Sequence, residues 1–129
     1  MPNEETPLER LVRRLDLEPQ GPDTFLGRAG PNSATDVARI FGGLVIAQSI
    51  MAAGRSSATG DVHSVQQVFL RPGKPGVDLT YRVTPTFQGR TFASVNVQVS
   101  QDEQVISQAI IGLAAVSYTH LTLPTTPYV

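Results

Sequence analysis

Two stretches of the chain alternate apolar and polar residues with a period of two. Val77, Leu79, Tyr81 and Val83 are separated by Asp78, Thr80, Arg82 and Thr84; Ala93, Val95, Val97 and Val99 are separated by Ser94, Asn96, Gln98 and Ser100. Successive side chains of a strand point to opposite faces, so each stretch predicts a strand with one buried face. Gln88-Gly89-Arg90 joins the two, and Gln101-Asp102-Glu103 leads from the second into the apolar run Val105 to Leu113. The three predict an antiparallel meander. A fourth strand is predicted from Val62 to Arg71, closed by Pro72-Gly73, because proline has no N–H to give a ladder and suits an edge.

Upstream the spacing changes to three and four. Leu8, Leu11, Val12 and Leu15 share one helical face, with Glu9, Arg10, Arg13 and Arg14 on the other. Thr6-Pro7-Leu8-Glu9 has the form of a capping box with proline at the first helical position, so a short helix starts there, lies on something, and stops near Pro19. From Gln20 to Thr35 the chain is rich in Gly, Pro, Asn and Asp, with one short strand over 24–28 between turns. The segment Arg39 to Gly54, RIFGGLVIAQSIMAAG, predicts a helix from about Phe41 to Ala53 with Gly54 as its left-handed cap. A helix apolar nearly all round is a buried one. One buried helix followed by four long strands predicts a two-layer α+β domain in which the sheet curls around the helix.

Composition narrows the partners. The chain has 129 residues, enough for one core, and a formal net charge of -1, which supplies neither a basic stripe for nucleic acid nor a cationic face for anionic lipid. With no cysteine there are no disulfides and no thiolate metal sites, and two histidines far apart argue against a metal centre. No apolar run approaches the length of a membrane span, and the early acids Glu4 and Glu5 without an apolar run after them do not resemble a signal peptide. A cytoplasmic location is the expectation. Residues 116–129 break the pattern, with four threonines, two prolines and no Asp, Glu, Lys or Arg. They read either as an edge strand with a tail or as a translation artefact, and the domain is taken as residues 1–115.

The helix-then-meander order carries a set of motifs: Phe41-Gly42-Gly43 at the helix start, Val62-His63-Ser64, Phe69-Leu70-Arg71-Pro72-Gly73, and Gly89 followed by Phe92. Together they resemble the acyl-CoA thioesterase II family, over roughly Leu11 to Ala115, in the first of that family's two hotdog domains. The resemblance implies a hotdog fold, hydrolysis of acyl-CoA to a free fatty acid and CoA, and no metal or redox cofactor. It also implies that the acid, hydroxyl and amide side chains credited with the chemistry lie in a second hotdog, which this sequence does not contain. The family commonly has glutamine after Phe-Gly-Gly, where this chain has Leu44.

Several residues are candidates for the site. Gly42 and Gly43 can expose the first N–H groups of the helix, which have no intrahelical acceptor, to a thioester carbonyl or its oxyanion; the same glycines also suit close packing of helix on sheet. The resemblance adds Phe41 as part of the acyl or thioester site. His63 suits a general base or acid, or a half-buried histidine bonded to backbone or solvent. Asp36, near Ser33 and Thr35, suits a catalytic carboxylate or a turn cap. Arg71 suits a CoA phosphate or plain solvent. Phe69, Phe87 and Phe92 suit an acyl channel or, for most of them, the core. The functions these imply are a thioesterase half, a non-catalytic acyl-CoA-binding or scaffold half, and a hotdog dehydratase or hydratase. Open sheet edges predict a homodimer or pairing with another hotdog domain.

Overall fold

The computed structural model describes residues 6–28 and 42–115. Along them run α1 (Pro7–Leu15), β1 (Glu18–Gly21), β2 (Thr24–Gly27), α2 (Gly42–Gly54), β3 (Asp61–Phe69), β4 (Leu79–Gln88), β5 (Phe92–Gln101) and β6 (Gln104–Ala114). The strands form one antiparallel sheet in the order β1-β2-β4-β5-β6-β3. The meander β4-β5-β6 is its centre, and β3 crosses to the far side of β6 to become an edge.

Period-two burial follows the sequence. Tyr81, Val83, Val95, Val97, Val99, Ile111 and Leu113 turn inward onto Val45, Ala52 and Ala53 of α2 and are almost wholly buried. Pro85 sits within β4 at a register shift between Pro85 and Phe87, where a bulge removes the need for its missing N–H. Phe87 lies just past that irregularity and is exposed, as are Phe69 and Phe92, so the core reading of these rings gives way to a surface one.

The helices depart from expectation in an instructive way. In α2 the most deeply buried positions include its two polar side chains, Gln48 and Ser49, while Leu44, Ile46, Ala47, Ile50 and Met51 are only half-buried. The helix lies in the concavity of the sheet, and α1 packs against it, with Gln48 Nε2 donating to Arg14 O. Gly54 is the last residue of α2 rather than a left-handed cap; among the described residues the glycines at positive φ are Gly21, which ends β1, and Gly60 and Gly76, which lie in loops. In α1 the capping box forms as expected, with Glu9 N–H donating to Thr6 Oγ1 at 3.0 Å and Thr6 N–H to Glu9 Oε1 at 3.0 Å. Yet no residue of α1 is buried, and its apolar face is largely open. The helix ends at Leu15, and Pro19 instead falls in β1, a strand that the turn-rich composition concealed by pairing at only a few residues with β2.

Side-chain clamps hold the connections. Arg55, just past α2, donates to Leu17 O at 3.0 Å and to Asp16 Oδ1 at 2.9 Å. Asp23, at φ 52, accepts from Ser57 N–H and Ser57 Oγ, each at 2.7 Å. Gln101 brackets the loop before β4, accepting from Lys74 N–H at 2.8 Å and donating to Lys74 O and Val77 O.

Candidate functional site

Helix α2 opens at Gly42, and no acidic side chain stands in its first turn. Its leading N–H groups and dipole therefore meet no carboxylate of their own turn. Over this start lies the ring of Phe69, the last residue of β3: a Cβ built on Gly42 would sit 3.4 Å from Phe69 Cζ. Phe69 itself remains 49% exposed. A half-open aromatic wall beside a helix N-terminus can hold an apolar chain on one side and a polarised carbonyl on the other.

Arg71 follows two residues later at the same end of the sheet. Its backbone N–H donates to Ile106 O at 3.2 Å and its guanidinium Nη1 to Val105 O at 2.7 Å, so the charge is held at the rim of β6. Gly42, Gly43 and Arg71 are thus brought to one end of the domain. His63 is not. It lies six residues before Phe69 on β3, about 20 Å along a strand, at a register shift between Val62 and Ser64. The histidine is exposed, and its ring packs against Phe92 at 5.3 Å with a 54° tilt. Near it, Gly112 leaves room for Ser64, Phe92 and His63, since a Cβ there would meet Ser64 Oγ at 2.6 Å and His63 Nε2 at 3.3 Å. Asp36, Phe41 and the tail 116–129 lie outside the described residues.

Behind the helix start is a polar interior that apolar patterning does not announce. Ser49 Oγ donates to Val45 O at 2.8 Å; Gln67 Nε2 donates to Ser107 Oγ at 2.8 Å and Ser49 Oγ at 3.3 Å; Ser107 Oγ donates to Val68 O at 2.8 Å. Gln67 Oε1 is buried with no donor among the described residues. On the other flank, Tyr81 Oη donates to Gln48 Oε1 at 2.5 Å, and Gln48 Nε2 donates to Arg14 O at 2.6 Å. Burial pushes the Tyr81 phenol far up, so it stays protonated. Gln67 and Ser107 were detectable only as polar residues on the inward phase of their strands. Among the described residues no three His, Cys, Asp or Glu side chains gather as a metal site, and no helix is long and apolar enough to cross a membrane.

Comparisons with known proteins bear on the family and the fold. Residues 30–116 match a family model described as the acyl-CoA thioesterase N-terminal domain. The chain is 35% identical over 88 residues to acyl-coenzyme A thioesterase 8 of Homo sapiens, a match covering 67% of this chain and 27% of that protein. Among solved structures, a tesB protein of Mycobacterium avium subs paratuberculosis superposes with a TM-score of 0.74 at 30% identity, over 92% of this chain and 46% of that one. A protein of Alicyclobacillus acidocaldarius described as having a hot dog fold superposes at TM-score 0.72 and 20% identity, over 93% of this chain and 45% of that one, which bears on the fold alone. The α+β arrangement is a hotdog, and the chain spans less than half the length of these three proteins.

Proposed function

The chain belongs to the acyl-CoA thioesterase N-terminal domain family, and from that premise we propose that it serves acyl-CoA hydrolysis as one hotdog half. The observation that carries this reading is the start of α2 at Gly42 under the half-open ring of Phe69. In the reaction a water oxygen bonds to the thioester carbonyl carbon, the C–S bond breaks, and the departing thiolate takes up a proton to give CoA and a fatty acid. The N–H groups at Gly42 and Gly43 stabilise the negative carbonyl oxygen as it forms. Phe69 bounds the acyl chain, and Arg71 at the rim attracts the phosphates of CoA. The acid and amide that activate water come from a second hotdog domain. Asp36, His63 and Phe41 remain candidates from the sequence, with His63 placed at the opposite end of β3 from this start.

The partner belongs to the same reading. Among the described strands β3 pairs with β6 alone, so its other edge presents backbone groups over the nine residues Asp61–Phe69. A second hotdog domain, in a second copy or a longer chain, pairs there and covers Val68, Phe69 and Leu70, all exposed in the single domain. A cytoplasmic location completes the proposal, and fractionation that finds the chain within an organelle would remove that part.

Leu44 favours a second reading, a scaffold half that binds acyl-CoA without turnover, because an apolar side chain stands where the family commonly has glutamine. Thiol release from short to long acyl-CoAs, measured on the whole chain beside equilibrium binding of the same compounds, separates the two. Release that falls in Gly43→Pro supports a catalytic helix start. Binding without release supports the scaffold, and neither binding nor release in a folded chain removes both.

A further inference from the structure

The seam between α2 and β3 is pinned at two points. At its mouth a Cβ on Gly42 would lie 3.4 Å from Phe69 Cζ, and farther in Gln67 Nε2 donates to Ser49 Oγ at 3.3 Å. Gly42 and Ser49 lie two turns apart on one stripe of the helix, about 10 Å. Gln67 precedes Phe69 by two residues, about 7 Å along the strand, and the two pair with Ala109 and Ser107, which are buried, so both are on the inner face of the sheet.

The inner contact leaves one atom without a partner. Ser49 Oγ commits its single proton to Val45 O and Ser107 Oγ commits its own to Val68 O, so toward Gln67 both hydroxyls can only accept. That fixes the orientation of the amide: its NH2 faces the serines with both hydrogens taken, and its oxygen cannot exchange places with its nitrogen. Gln67 Oε1 is closed off from solvent with no donor among the described residues. A buried acceptor left unpaired is costly, and a donor that arrives with a ligand removes that cost.

We infer that Gln67 is a specificity-determining residue whose Oε1 accepts a hydrogen bond from a hydroxyl on the acyl chain, so that the protein prefers hydroxyacyl-CoA to plain acyl-CoA. The inference rests on the hydrolase reading for the direction in which the substrate lies. With the thioester carbonyl at the start of α2 and the CoA phosphates at Arg71, two residues after Phe69, the acyl chain runs the other way, toward Gln67. What reaches Oε1 is therefore the acyl chain and not the pantetheine arm. The span of about 7–10 Å from the mouth corresponds to roughly six to eight bonds of an extended carbon chain. Pairing along the open edge of β3 uses backbone groups in the plane of the sheet and leaves this side-chain oxygen untouched. A methyl at that depth keeps the acceptor unpaired, whereas a hydroxyl satisfies it, and a site built to bond a substrate hydroxyl rejects the analogue that lacks one.

The test is equilibrium binding of hexanoyl-CoA and octanoyl-CoA, each beside its counterpart hydroxylated at the terminal carbon, to the full-length protein, with thiol release measured separately. In at least one pair the hydroxylated compound is expected to bind about ten-fold tighter or more. Gln67→Met, which keeps the length of the side chain without the amide oxygen, is expected to abolish that preference while binding the plain compound at least as well. A folding defect would weaken both, and a melting curve checks the fold. Equal binding of both members of each pair by the unmodified protein overturns the inference, and is also the result if water or a side chain of a second hotdog holds Oε1. So does a preference that persists in Gln67→Met. Either result leaves the hydrolase reading standing where thiol is released. A preference in binding with no thiol release keeps the role of Gln67 and removes the hydrolase reading, and binding of none of the four compounds overturns both.

Discussion

The hydroxyl of Tyr81 on β4 donates a 2.5 Å hydrogen bond to Gln48 of α2, both side chains being almost wholly buried. Through Gln48 Nε2 the same amide reaches Arg14 O, so one glutamine ties the sheet, the central helix and the N-terminal helix together. Gly27 makes room for it, since a Cβ there would lie 2.8 Å from Gln48 Oε1. In Tyr81→Phe the glutamine oxygen loses its donor inside the core, and urea denaturation is expected to show a loss of about 1–3 kcal/mol. An unchanged midpoint and slope would mean that water or another donor reaches Gln48.

Burial of that phenol also sets an alkaline limit. Its pKa in the folded protein lies above the ordinary value of 10.0, so its contribution to stability is complete below about pH 10 and declines as pH rises further. Ultraviolet titration of the folded chain is expected to leave Tyr81 un-ionised where free tyrosine ionises. Tyr81→Phe should flatten the alkaline fall in stability.

The Ser49–Gln67–Ser107 chain predicts an asymmetry between two substitutions. Ser107→Ala removes the hydroxyl that donates to Val68 O and accepts from Gln67, and should cost about 1–3 kcal/mol. Gln67→Met removes the donor together with the buried Oε1 that has no partner among the described residues, so its cost is expected to be the smaller. Thermal or urea melts of the pair check the order, and a reversed order would show that Gln67 Oε1 has a partner in solution.

At the start of α2 the space over Gly42 admits a methyl but little more. Gly42→Ala places Cβ at contact distance from Phe69 and should leave folding intact, whereas Gly42→Leu must displace the ring. Phe69→Ala is expected to shift the preferred acyl chain length in a thiol-release assay with little change in melting temperature, the ring being half in solvent. A shift in stability alone would assign Phe69 to packing.

The turn between β5 and β6 holds Asp102 at φ 52 and Glu103 at φ 67, the left-handed region that favours glycine. Glu103→Gly, giving the Asp-Gly pair preferred in tight hairpins, is expected to raise stability by up to about 1 kcal/mol in urea melts.

Local pattern determined much of this protein. Alternation placed β4 and β5 with their inward faces correct, because the pleat fixes side-chain direction residue by residue. Thr6 and Glu9 fixed the start of α1 within one turn, and the ordered motifs around Phe41-Gly42-Gly43 and Phe69 to Gly73 identified the family. What the sequence did not contain was anything decided between distant segments. That β3 crosses to pair with β6, that Phe69 therefore comes to lie over Gly42 while His63 is carried to the other end, and that Gln48 and Ser49 turn inward while Leu8 and Val12 stay open all depend on which surfaces meet. Periodicity reports that a face is apolar; only the assembled sheet decides whether another element covers it.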